Sequence, residues 1–239
     1  MAKNTLLITG ASRGIGLATA KRFQRAGYGV VNLSRSQPDL PGVEHIALDI
    51  ADAEAIQAAA KPIANALSQV GNSAGSVVLV HNAGLLQKDS VRDLPASELQ
   101  RVLQTNVIAP AQINQLALPF MQPGSSIIYV GSTLSEKGVA NTCSYVTSKH
   151  AVLGLMRASC QDLAGSGIHT ACVCPGFTHT EMLSNHVGND QRVLDDIATG
   201  IAYGRLIEPE EIAEAIFFSA TNPVLNGAVL HANLGQIES

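Results

Sequence analysis

The chain has no Trp, and its aromatic residues make up only 4% of the sequence. Its core must therefore be built from Ala, Val, Ile and Leu. Charge is scarce as well: charged side chains are 14%, and 15 Lys and Arg face 19 Asp and Glu, for a net charge of -4. That balance lacks the basic footprint of a nucleic-acid binder, so no nucleic-acid partner is expected. No apolar run approaches the roughly 20 residues that cross a bilayer, so no membrane partner is expected either. Met1-Ala2-Lys3-Asn4 runs straight into Thr5-Leu6-Leu7-Ile8-Thr9. This stretch is shorter than a signal-peptide core and no cleavage pattern follows it, so a cytoplasmic location is expected. Cys143, Cys160, Cys172 and Cys174 form no CxxC or CxxH spacing. They read as buried free thiols in a reducing compartment, with no metal site. What is abundant is apolar surface. A chain of 239 residues that is 46% hydrophobic can offset its ordering entropy, which excludes disorder.

Short apolar runs recur at Leu6–Ile8, Val30–Leu33, His45–Leu48, Val77–Val80, Ile127–Val130, Thr170–Val173 and Ala228–Leu230. Most are continuous rather than alternating, as in parallel strands covered on both faces. Helical patterns fall between them. Ile15–Ala26 ends at Gly27, a helix-terminating glycine. Asp52 is placed to cap a helix carrying Ile56, Ile63 and Leu67, which Pro62 should interrupt. Ser97–Phe120 is helical by pattern but broken near Asn106 and Pro110, and Tyr145–Leu163 and Pro209–Ser219 complete the set. Alternating strands and helices predict an α/β fold: one Rossmann-type domain over 1–239, with a doubly wound parallel sheet of about seven strands and helices on both faces. The least regular stretch, 177–205, follows a strand end, where such sheets bind ligands. Its Met182, Leu183, Val187, Leu194 and Ile197 suggest a partly apolar substrate loop or lid.

The first strand runs into Thr9-Gly10-Ala11-Ser12-Arg13-Gly14-Ile15-Gly16, and a helix follows. Gly10 permits a tight turn, while Gly14 and Gly16 let backbone approach a phosphate and let the helix pack on the strand. The free N–H groups of that helix start would face a pyrophosphate. The spacing is GxxxGxG rather than GxGxxG. A dinucleotide fold that takes NAD(H) places an acid at the tip of the second strand for the adenosine ribose. Here the tip reads Asn32-Leu33-Ser34-Arg35-Ser36. Arg35 and Arg13 would instead receive a 2′-phosphate, with a serine hydroxyl adding a donor; the alternative is two solvated arginines. Asp49 would accept from an adenine amino group, or else serve the helix start at Asp52.

Tyr145 and Lys149 stand at i, i+4 and so share a helix face. With Thr9–Gly16, His81-Asn82-Ala83-Gly84, Asn106, Ser132 and Pro175-Gly176 followed by Thr180, they make the chain resemble the short-chain dehydrogenase/reductase family, single-domain branch, along essentially its whole length. Gly204-Arg205-Leu206 and Glu208-Pro209-Glu210-Glu211-Ile212-Ala213 also look like the approach to the last helix in 3-oxoacyl-carrier-protein-reductase-like members. His81 stands where the family usually has Asn, and Asn233-Leu234-Gly235 departs from its usual Asp-Gly-Gly.

The resemblance implies an oxidoreductase moving a hydride between NADP(H), preferred over NAD(H), and a carbonyl or secondary alcohol of small-molecule size. It implies Tyr145 as acid/base, Lys149 beside it, Ser132 as donor to the substrate oxygen, and Asn106 holding a water behind Lys149. A cation ~4 Å from the phenol oxygen would favour phenolate by ~4 kcal/mol at an effective dielectric near 20. The implied cofactor set is Gly10, Ser12, Arg13, Gly14, Ile15 and Gly16, then Ser34 and Arg35, Asp49 and Ile50, Asn82, Ala83 and Gly84, Tyr145 and Lys149, and Pro175, Gly176, Thr178 and Thr180. A homo-oligomer, a tetramer, is also implied. The alternative function is a catalytically silent NADP(H)-binding regulator of the same fold.

Overall fold

The computed structural model describes residues 4–71 and 75–236; Met1, Ala2 and Lys3, read above as leading into the first strand, lie outside the described residues. Seven strands form one sheet: β1 Thr5–Thr9, β2 Gly29–Ser34, β3 Val43–Ala47, β4 Val77–His81, β5 Ser126–Val130, β6 His169–Pro175 and β7 Val229–Ala232. All neighbours run parallel, in the order β3-β2-β1-β4-β5-β6-β7. The expected doubly wound sheet is therefore present. The chain builds outward from β1 to β3, then crosses back to lay β4 on the other side of β1. That reversal opens a crevice at the carboxyl ends of β1 and β4.

Strand alternation divides the core between the two faces. Leu6 and Ile8 of β1 point to one side, with Val78, Val80, Ile128, Ala171, Val173 and Phe23. That side is covered by α1 (Gly14–Arg25) and a C-terminal helix over Pro209–Thr221. Leu7 points to the other, with Leu79, Ile127, Tyr129, Ile113, Leu153 and Met156. Each fully buried Leu or Ile contributes about 1.5–3 kcal/mol relative to exposure. Phe23 anchors the first layer edge-on to Tyr28 and Phe217, at ring-centroid distances of 5.0 and 4.9 Å.

Local chemistry sets the helix ends. α1 stops before Gly27, whose φ of 87° suits glycine. The Asp52 carboxylate accepts from the amides of Glu54 and Ala55 and starts α2 (Ala53–Ala58). α3 (Ala60–Gly71) follows after a break, since Pro62 has no N–H for the carbonyl of Ala58. The expected helix over 97–120 resolves into α4 (Ala96–Leu103), a π-helical turn (Gln104–Ile108) and α5 (Ala109–Ala117). Pro110 lies inside α5 and does not break it. Its missing N–H leaves the Asn106 carbonyl without its helical donor, and the ladder widens there, with the Ala109 amide reaching back to Gln104. α6 (Cys143–Asp162) buries Ser148, Lys149, Val152, Leu153 and Met156 along one stripe. The stretch 177–205, read as irregular, holds two helices: α7 (Glu181–His186), capped by Thr180, and α8 (Gln191–Thr199), capped by Asp190. α9 (Pro209–Thr221) follows, before β7. No helix among the described residues is long and apolar enough to cross a membrane.

Candidate active site

The glycine loop sits at the crevice. Gly10 has φ 73° and Gly14 φ 54°. A Cβ on Gly16 would overlap the Gly10 carbonyl oxygen and press on the Asn82 amide, so only glycine lets α1 come this close. Asn82 clamps the loop: its Nδ2 donates to the carbonyls of Thr9 and Gly10, at 3.0 Å each. The Thr9 hydroxyl accepts from the amides of Asn82 and Ala83. The Ala11 amide donates to the buried Asn32 side chain, 2.9 Å away. Arg13 caps α1 with no side-chain hydrogen bond to the helix, and the first turn holds no acid. The leading amides of α1 therefore face outward as donors with positive potential, a cradle suited to a pyrophosphate. Ser12 and Arg13 lie on this loop, and Ile15 in the first turn of α1.

At the β2 tip, Ser34 is buried and its hydroxyl is engaged: it accepts from Asn32 and donates to the Ser36 carbonyl. Arg35 is exposed, with its guanidinium 4.0 Å from Asp49. Asp49 accepts from the Ala51 amide, and Ile50 is buried behind it. Arg13 points the other way, donating to Glu181 of α7 at 2.6 Å. Beyond β6, Gly176 is required because a Cβ there would come within 2.9 Å of the Asn233 Cβ. Thr178 is buried and donates to the Gly176 carbonyl, and Thr180 lies against Gly14. The segment from Pro175 to Thr180 thus walls the same crevice as the glycine loop.

Ser132 follows the end of β5, Tyr145 and Lys149 lie at the start of α6, and Asn106 sits on the π-helical turn that packs against α6. Lys149 is 6% exposed, and among the described residues its ammonium makes one hydrogen bond, to the Val130 carbonyl at 2.8 Å. Val130 ends β5, two residues before Ser132. The same Nζ lies 5.5 Å from the centre of the Tyr145 ring. Two N–H donors of a nearly buried ammonium are left for a ligand or water. Gly84 lies beside both groups: a Cβ there would stand 3.6 Å from the Asn106 Oδ1 and 3.8 Å from Nζ, in ordinary contact with each. Ser132 opens a short turn, its hydroxyl accepting from the Leu134 amide and, among the described residues, holding no acceptor for its own proton. Asn106 is buried. Its Oδ1 accepts from the Leu85 amide, and its Nδ2 donates to the Leu85 carbonyl and the Ser148 hydroxyl. Its side chain is a brace between the β4 loop and α6, so a water behind Lys149 would fall to its backbone carbonyl, to which Pro110 has no N–H to donate.

Two supports were invisible in the sequence. Asp89 accepts from the Ser144 amide at 2.9 Å and from the Ser144 hydroxyl. It caps α6 one residue before Tyr145, because Thr142, at the cap position, turns its hydroxyl to Val139 instead. Nothing in the sequence announces that contact between residues 55 positions apart. Below the site, Cys172 and Cys174 share a face, as their spacing predicts, with sulfurs 3.8 Å apart. The donated Cys172 S–H holds the Cys174 thiol below its usual range, helped by the Ser132 amide and the Ser135 hydroxyl. Gly131 is the residue that leaves room for both sulfurs.

His81 lies deeper. Its Nε2 meets the Asn114 Oδ1 at 2.8 Å, and Asn114 in turn donates to the Tyr129 hydroxyl at 2.7 Å. Burial lowers the imidazole to about 4, against a smaller upward effect of Asn114. The departure at His81 thus changes the packing behind the site, not the crevice itself.

Known proteins resemble this chain over nearly its whole length. Residues 10–236 match the family model described as enoyl-(acyl carrier protein) reductase. The chain is 29% identical to a 3-oxoacyl-[acyl-carrier-protein] reductase FabG of Vibrio harveyi, covering 96% of each chain. It superposes on a short-chain dehydrogenase/reductase of Serratia marcescens with a TM-score of 0.84 and 29% identity, covering 98% of each chain. It superposes on a structure described as ElxO with NADP bound with a TM-score of 0.85 and 26% identity, covering 97% of this chain and 98% of the other.

Proposed function

The chain belongs to the short-chain dehydrogenase/reductase family of oxidoreductases, and from that premise we propose that it interconverts a small carbonyl compound and its secondary alcohol using NADP(H). The observation that carries this reading is the nearly buried Lys149 ammonium, tied to the strand that delivers Ser132 and held beside the Tyr145 ring with two donors unused.

When bound, the nicotinamide supplies or accepts the hydride. The chain's own residues do the rest. The glycine-loop amides hold the pyrophosphate, and Lys149 offers its free donors to ribose hydroxyls. Tyr145 gives a proton to the substrate oxygen during reduction and takes it back during oxidation. Lys149 beside it stabilises the ring oxygen when that proton has left. Ser132 donates to the same substrate oxygen, where negative charge develops. The Asn106 backbone carbonyl, which Pro110 cannot reach with an N–H, would hold a water that returns the proton from solvent. Preference for the phosphorylated dinucleotide rests on Arg13 and Arg35 and on the lack of an acid at the β2 tip. The bound NADP of one structural neighbour supports the same choice. A cytoplasmic homotetramer is part of this reading, with the stretch 177–205 closing over the substrate.

The test is a panel of ketones and alcohols with both reduced and both oxidised nicotinamides, run on the wild type and on Tyr145→Phe. Turnover with NADPH, abolished in Tyr145→Phe with NADPH still bound, is the expected result. Near wild-type turnover by Tyr145→Phe would sink the assignment.

A further inference from the structure

Arg13 is one of the two arginines assigned to a 2′-phosphate, and it is already taken. Its guanidinium donates at 2.6 Å to Glu181, a residue 168 positions away in sequence. Both side chains are more than half exposed, yet the contact does not rest on two long side chains alone. Glu181 opens α7, and Thr180 before it caps that helix and packs against Gly14, where an added Cβ would stand 3.4 Å from the Thr180 methyl. The backbone around Glu181 is thus seated on the glycine loop itself. The second candidate guanidinium, Arg35, is far less committed, with Asp49 only at 4.0 Å. The Ser34 hydroxyl, already donating to Ser36, adds nothing.

We infer that Glu181 sets how strongly this site discriminates for a 2′-phosphorylated dinucleotide, by holding Arg13 against the incoming phosphate. The inference rests on the dinucleotide reading given above. A phosphate reaching Arg13 must either displace the Glu181 carboxylate or share the guanidinium with it at the cost of repulsion between two anions. A dinucleotide ending in a 2′-hydroxyl needs no such exchange. Glu181 therefore acts selectively as a brake on NADP(H), and the brake works only through Arg13.

The test measures dissociation constants for NADPH and NADH, by nicotinamide fluorescence and calorimetry, on wild type, Glu181→Gln, Arg13→Gln and the double variant. Gln matches Glu in length and removes the charge of Arg on a shorter chain, and both positions are exposed, so folding is not at stake. Glu181→Gln should tighten NADPH roughly three- to tenfold, the range of an exposed pair plus the lost repulsion, and move NADH by less than about twofold. In the Arg13→Gln background the same change should bring no gain. The inference is overturned if Glu181→Gln moves both dinucleotides alike or neither, or if its gain survives without Arg13. Should the wild type bind neither dinucleotide, the functional reading itself falls and takes this inference with it.

Discussion

Acid should destabilise this protein through His81, and the size of the effect follows from its surroundings. The Asn114 amide nitrogen is committed to Tyr129, so its oxygen faces His81 and the imidazole must carry its proton on Nε2. Nδ1 is buried and has no partner among the described residues. A second proton would go there, where no described residue accepts it and burial leaves the charge poorly solvated. Burial accordingly lowers the ring to about 4 in the native chain, against 6.5 when unfolded. Below 6.5 the unfolded chain binds a proton that the native chain refuses. Stability is therefore complete above 6.5, falls as the pH drops from 6.5 to 4, and levels off below. At about 1.4 kcal/mol per pH unit the full loss is ~3 kcal/mol, or roughly 6–12 °C in Tm for a domain of this size. The comparison is urea or thermal unfolding at pH 7, 6, 5 and 4 for the wild type and for His81→Gln, whose amide can still donate toward Asn114 but does not titrate. Other groups titrate in both proteins, so the difference between the two curves isolates His81. It should narrow by ~3 kcal/mol between pH 7 and 4. Parallel curves would refute the reasoning.

Ser132→Ala removes one donor to the developing oxyanion and should lower kcat by about 10²–10³-fold with NADPH affinity unchanged, measured by steady-state kinetics and titration. Asp89→Ala uncaps α6 next to Tyr145; it should cost about 1 kcal/mol in urea unfolding and lower kcat more than it changes KM, and Asp89→Asn, which keeps an acceptor, should restore most of both. Gly16→Ala places a methyl where the Gly10 carbonyl sits and should abolish dinucleotide binding by fluorescence titration while Gly27→Ala, facing open space at the far end of α1, costs only stability. Light scattering should give a tetramer at micromolar concentration, and a monomer would count against the assembly proposed here.

Much of this was legible in the order of the residues. Continuous apolar runs such as Val77–Val80 can be satisfied only by a strand covered on both faces, and seven of them separated by helical patterns leave little but a doubly wound sheet. Glycines at 10, 14 and 16 and the spacing of Tyr145 and Lys149 are local facts, and local geometry carries them. Pro62 and Asp52 marked helix ends because their effects reach only a few residues. The stretch 177–205 was less readable, since α7 and α8 are short helices whose caps, Thr180 and Asp190, lie among other polar residues that could equally make turns. Long-range polar partners were beyond reach. That Ser34 is occupied by Asn32 and Ser36, that Asp89 caps α6 across 55 residues, and that Arg13 is held by Glu181 across 168 depend on which loop lies against which once the sheet has closed. Hydrophobic pattern repeats along the chain and declares itself many times over, whereas a hydrogen bond between distant side chains is decided once, by tertiary packing, and leaves no period behind it.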